Sequence, residues 1–67
     1  MEGWQGAYLE RGYVAEAEES RYRVASYDRQ GVTTPPIGSF RGDTFSVGDQ
    51  VIFVLWPDGS GKILGNL

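Results

Sequence analysis

Apolar residues crowd most densely toward the end of the chain, where Val51, Ile52, Phe53, Val54, Leu55 and Trp56 follow one another without interruption. Turn signals bracket this run, with Gly48-Asp49 before it and Pro57-Asp58-Gly59-Ser60-Gly61 after it. So short a run, rich in β-branched and aromatic residues, predicts a buried strand and not a helix. After the turn, Ile63 and Leu64 predict a second strand running to the last residue. Residues 47–67 therefore read as strand, glycine-rich turn, strand, and the rest of the chain has to supply neighbours for both faces.

Earlier residues alternate in the manner of strands. Residues 8–17 predict a first strand with Leu9, Tyr13, Ala15 and Ala17 sharing one face and Arg11 intruding on it. Gly12 within that strand signals a bulge or a bend. Glu16, Glu18, Glu19 and Ser20 read as the solvated end of a hairpin. A second strand covers residues 21–27, with Tyr22 and Val24 on one side and Arg21, Arg23, Ala25 and Tyr27 on the other. Asp28-Arg29-Gln30-Gly31 is a turn. Residues 32–37 return as an extended piece, but Pro35 and Pro36 cannot donate to a ladder, so it sits at an edge or leaves the sheet quickly. Residues 38–48 predict a polar loop with a short strand, packed over one end of the sheet through Phe40 and Phe45.

Together these give five short strands, sequentially adjacent, and an all-β fold: a small five-stranded OB-like barrel of Greek-key or meander type. Residues 1–11 form the lead-in and the start of the first strand, and residues 12–67 the barrel. Trp4 is expected to pack on something, although it lies near the terminus.

Length and composition narrow the function. A chain of 67 residues is one domain at most. It buries only about 60% of its unfolded surface, so the core is thin and leaves room for an oligomer. The chain has no cysteine and no histidine. That removes disulfides, thiolate chemistry, the usual zinc ligands and the commonest general base. A net charge of −3 argues against life on a phosphate backbone. The longest apolar run, six residues, is far short of the roughly 20 that cross a bilayer. With no export signal in view, the expected place of synthesis is cytoplasmic.

Candidate chemistry is sparse. The Glu16, Glu18 and Glu19 carboxylates have no convergent third type of ligand and read as solvated. Asp58-Gly59-Ser60-Gly61 lacks the distal glutamate of a calcium loop and the following helix of a phosphate loop. No serine has a base to activate it. No catalytic, metal or cofactor site is expected, and the chain does not read as an enzyme. Arg21, Arg23 and Tyr27 share a strand face, which is the pattern of a single-strand nucleic-acid binder and gives an alternative reading. The acidic balance and the simpler assignment of neighbouring Tyr22 and Val24 to the core oppose it.

The more informative feature is apolar excess. A barrel strand should alternate, whereas residues 51–56 do not. If Val51, Phe53 and Leu55 face inward, Ile52, Val54 and Trp56 face outward as an apolar row of the kind that marks a protein interface. The bland alternative is that residues 38–48, or the segment with Trp4, cover the row.

The closing stretch also resembles a family. Val47-Gly48-Asp49-Gln50-Val51, then Asp58-Gly59-Ser60-Gly61, then Ile63-Leu64-Gly65, is similar to the end of the OB-fold domain of baseplate assembly protein V and the related type VI secretion spike proteins. Gly12-Tyr13-Val14, Arg21-Tyr22-Arg23-Val24 and Asp28-Arg29-Gln30-Gly31-Val32 agree with it in outline. The resemblance implies a five-stranded barrel, often trimeric, at the tip of a phage tail tube or secretion spike. It implies no catalytic residues. It also implies other tail proteins or further copies of the chain as partners, and a place in the virion tail. Because the family continues into a spike and this sequence stops at Leu67, membrane puncture is not carried over.

Overall fold

The computed structural model of the chain describes residues 6–67; the expectation for Trp4 lies outside them. Among the described residues there are five strands: β1 (Tyr8–Glu18), β2 (Arg21–Ser26), β3 (Gly38–Ser39), β4 (Gln50–Leu55) and β5 (Gly61–Asn66). A 3-10 turn, Tyr27–Arg29, follows β2. The fold is all-β, a small curled sheet of the OB-like barrel kind.

The spatial order is β2-β1-β4-β5-β3. This corrects the expectation of sequentially adjacent strands and excludes a meander. β1 pairs with β2 along one edge and with β4 along the other. β3 lies parallel to β5. Beyond β2, isolated bridges join Tyr22 to Ile37 and Ala25 to Thr33, so the chain between β2 and β3 returns along the edge of β2 and curls the sheet toward closure. Pro35 and Pro36 limit that return to scattered bonds, as proline at an edge must.

Gly12 is where β1 changes neighbours, pairing with Ser26 on one side and Val51 on the other. It is a bend and not the bulge; the extra residue is Ala15, where the register with β2 slips between Val14 and Glu16. Pairing with β4 begins at Tyr8, so residues 8–11 belong to the sheet.

The inward faces of β2 and β4 carry the expected residues, although Ala25 and Val54 on their other faces are buried too. Tyr22, Val24, Val51 and Phe53 join Val14, Ile37, Phe45 and Ile63 in one core cluster, with Leu55 packed against it. Burying a side chain the size of Phe53 stabilises the fold by about 1.5–3 kcal/mol. Phe45 closes the cluster from the loop after β3. Its ring meets Tyr22 edge-on at 5.5 Å, and its N–H donates to the Tyr22 hydroxyl at 3.1 Å. Phe40, expected as a second anchor, is 67% exposed.

β1 reverses the expected phase. Its inward positions are Glu10, Gly12 and Val14, while Leu9 and Tyr13 face out. Side-chain counting missed this because two of the three inward positions carry a glycine and a glutamate. Gly12 is needed there because a Cβ would collide with the Ala25 carbonyl oxygen. Glu10 is tolerated because two side chains satisfy its carboxylate.

Candidate interaction surface

On the outer face of β1 and β4, directly paired residues bring apolar and cationic groups side by side. Leu9 lies opposite Val54, Arg11 opposite Ile52, and Tyr13 opposite Gln50. Leu9 is 63% exposed and Tyr13 39% exposed. Tyr27, at the start of the 3-10 turn, leans its ring on Tyr13 with centroids 5.8 Å apart. The Arg11 backbone N–H approaches the Asp28 carboxylate at 3.4 Å. Its guanidinium has no hydrogen-bond or ion-pair partner among the described residues.

This geometry alters the predicted row of Ile52, Val54 and Trp56. Val54 is 2% exposed and is not available to a partner. Ile52 is half-buried beside Arg11. Trp56, also half-buried, belongs to the end of the barrel and not to its side: it lines a groove of about 430 Å³ with Tyr8, Arg29, Pro35, Leu55 and Pro57. The outer apolar surface therefore rests on Leu9, Tyr13 and Ile52. The unbroken apolar run predicts Ile52 on this face, whereas Leu9 and Tyr13 face opposite to the expectation for β1.

The groove has one polar wall that the sequence did not announce. The buried Glu10 carboxylate, which ties together the lining residues Ser26 and Arg29, accepts from Ser26 Oγ at 2.7 Å. Arg29 donates to it through Nε and Nη2, each at 2.8 Å. The Arg29 guanidinium also lies 5.4 Å from the Tyr8 ring centroid, a cation–π distance. The Arg29 hydrogen bond lowers the Glu10 pKa from its ordinary value; burial opposes it, and the Ser26 hydroxyl and the Arg29 charge assist. The same hydrogen bond raises the Arg29 pKa. One signal in the sequence pointed here: an acid placed between Leu9 and Arg11 in a strand must face opposite to both.

The three residues of the nucleic-acid alternative do not converge. Arg21 and Arg23 point their Nη1 atoms at the carbonyls of Pro36 and Thr34, each at 3.4 Å, and Arg23 also meets Glu16 at 3.7 Å. These arginines thus hold the edge segment against β2. Tyr27 lies at the far end of β2 and is engaged by Tyr13. A stacking platform beside a positive groove needs aromatic and cationic groups together, and here they are apart.

The Asp58 carboxylate in the β4–β5 turn accepts from the Ser60 hydroxyl at 2.7 Å and from its N–H at 2.9 Å. Those two bonds, the hydroxyl's first, lower its pKa. This local closure makes a turn, with Gly59 in the left-handed region at φ 93°. Among the described residues no group of three or more histidine, cysteine, aspartate or glutamate side chains is arranged to hold a metal ion. No helix among them is long and apolar enough to cross a membrane.

Comparison with known proteins adds no relative: no family model, no curated protein and no solved structure matches the chain.

Proposed function

We propose that this chain is a non-enzymatic assembly module, an OB-like barrel of a phage or prophage tail that works by protein–protein contact in a baseplate or spike hub. The observation that carries the reading is the outer face of β1 and β4, where exposed Leu9 and Tyr13 flank Arg11 and half-buried Ile52. Exposed aliphatic groups of this kind on a sheet favour burial against another protein. The tail assignment is supported by the closing signature, whose residues form β4, the Asp58–Gly59 turn and β5. Its partners are other tail proteins or further copies of itself.

The test is co-purification. The tagged chain is co-expressed with the tail-tube and baseplate proteins encoded beside it, and each partner is scored by stoichiometry. The reading expects at least one of them to co-purify in fixed ratio, and Leu9→Asp to abolish that association while leaving the circular dichroism spectrum intact. Failure to associate with every tail protein offered, or neighbouring genes unrelated to tails, overturns it.

A further inference from the structure

The groove that contains Trp56 and Arg29 shares no residue with the outer face of Leu9, Tyr13 and Ile52. Its walls are mostly apolar, and two of its side chains are open to a ligand, Tyr8 at 51% and Val32 at 61% exposure. Its hydrogen-bonding character is one-sided. The Glu10 carboxylate is held by Ser26 and Arg29, and the carbonyls of Ser26, Arg29, Val32, Thr34, Pro35 and Trp56 each already accept a hydrogen bond. What the groove still offers is chiefly donors. Arg29 Nη1 and the Tyr8 hydroxyl have no hydrogen-bond partner among the described residues. The Val32 carbonyl and the Thr34 N–H bond to β2, so Thr33 between them turns its own N–H away from β2, and Thr33 lines the groove. Past Trp56 and Pro57 the surface continues to the exposed Asp58. That carboxylate uses Oδ1 for Ser60 and leaves Oδ2 without a partner among the described residues.

We propose that this groove holds a proline-rich segment of a partner protein, with a basic residue of that segment against Asp58. Proline has a carbonyl to offer and no N–H to satisfy, which matches a groove rich in donors. In the polyproline II helix those carbonyls make no internal bonds, and the preformed helix docks its rings on aromatic-lined grooves at low entropic cost. Here Tyr8 and Trp56 supply the aromatic surface, and Tyr8, Thr33 and Arg29 supply the donors. The Arg29 charge is matched by Glu10 at 2.8 Å, so the unmatched charge beside the groove is the Asp58 carboxylate, which favours a cation. Nucleic acid fits less well, because Asp58 and the net charge of −3 both oppose a phosphate backbone. The proposal goes beyond the assembly reading, which rests on a different surface.

Three probes test it on the full chain: an oligoproline flanked at both ends by arginine pairs, its counterpart flanked by glutamate pairs, and oligothymidylate. Fluorescence anisotropy gives each Kd, and amide NMR shifts locate the site. The arginine peptide should bind saturably and shift the amides of Tyr8, Thr33 and Trp56. It should bind at least about threefold more tightly than the glutamate peptide, the size expected of an exposed charge pair. Asp58→Asn keeps an oxygen for Ser60 and should erase that preference. Tyr8→Ala should weaken both peptides at least about tenfold, as loss of an aromatic anchor does, while Tyr8→Phe keeps the ring and should weaken them less. Thermal melts report whether the variants fold; the NMR shifts on the unsubstituted chain decide the site without them. Absence of saturable binding by either peptide overturns the proposal, as do shifts confined to other surfaces or equal affinity for the two peptides. Tighter binding of oligothymidylate than of both peptides overturns it in favour of a nucleic-acid site. Leu9→Asp should leave peptide binding unchanged, so failure of this proposal and failure of the assembly reading are told apart.

Discussion

Gly12 of β1 passes so close to the Ala25 carbonyl of β2 that there is no room between them for a methyl group; even the Ala25 carbonyl carbon would stand 3.0 Å from a Cβ at that position. The contact occurs where β1 leaves one partner strand for the other, so it sets the curl of the sheet. Gly12→Ala must push the strands apart or distort β1, and overpacking of this kind costs about 1–3 kcal/mol. In a domain this small each kcal/mol moves the melting temperature by about 4–8 °C. Gly65 supplies the control, since a Cβ there meets nothing within 4 Å. Thermal melts should show Gly12→Ala strongly destabilised and Gly65→Ala close to wild type. Equal effects of the two substitutions would contradict the tight crossing.

Phe40 and Phe45 are alike in sequence context and opposite in the fold. Both are lone large residues in a polar, glycine-bearing segment, yet Phe45 is 8% exposed and Phe40 is 67% exposed. Removing a buried phenylalanine ring costs about 3–5 kcal/mol, through lost transfer energy and the cavity left behind. Phe45→Ala should therefore approach the whole stability of so small a domain, while Phe40→Ala should stay within about 0.5 kcal/mol of wild type. Urea titration of both variants distinguishes these outcomes.

What the sequence made legible, and what it hid, follows the range of the interactions involved. The run from Val51 to Trp56, the turn at Asp58-Gly59 and the strand that follows declare themselves locally, because β-propensity and turn chemistry act over a few residues. Tyr22 and Val24 were legible by simple alternation. The phase of β1 was not, because contacts distant in sequence decide it: Gly12 under Ala25, and Glu10 bonded to Arg29 nineteen positions later. Counting apolar side chains in β1 favours Leu9 and Tyr13 as core, and the three-dimensional crossing overrules the count. The candidate surface was half visible for the same reason. Ile52 follows from the lack of alternation in β4, whereas Leu9 and Tyr13 join it only once β1 is seen with its other face inward.

Among the described residues the Tyr22 hydroxyl is the one polar side-chain group of the core cluster, and it accepts the Phe45 N–H at 3.1 Å. Tyr22→Phe keeps the ring, and with it the edge-on contact to Phe45, but leaves that buried N–H without an acceptor. An orphaned buried donor costs about 1–3 kcal/mol. Hydrogen exchange should show the Phe45 amide losing protection beyond what the global destabilisation explains. Unchanged protection there would mean that the hydroxyl does not hold the loop.

Glu10 and Arg29 make stability depend on pH with a definite sign. The carboxyl has a lowered pKa in the folded chain, first through the Arg29 hydrogen bond, relative to an ordinary value of 4.5. A depressed folded pKa contributes stability that is fully present above the unfolded value and is lost as pH falls through the folded one. Wild type should therefore exceed Glu10→Gln in melting temperature at neutral pH, because the amide cannot reproduce the charge-assisted bonds to Arg29. That margin should shrink as pH drops below 4.5. Asp58, lowered by its bonds from Ser60, titrates on the same side of neutrality but is present in both proteins, so the difference between the two melting curves isolates Glu10. A margin that stays constant from pH 7 to the acid limit of folding would show that the Glu10 charge is not what fixes Arg29, and with it the polar wall of the groove, to β1.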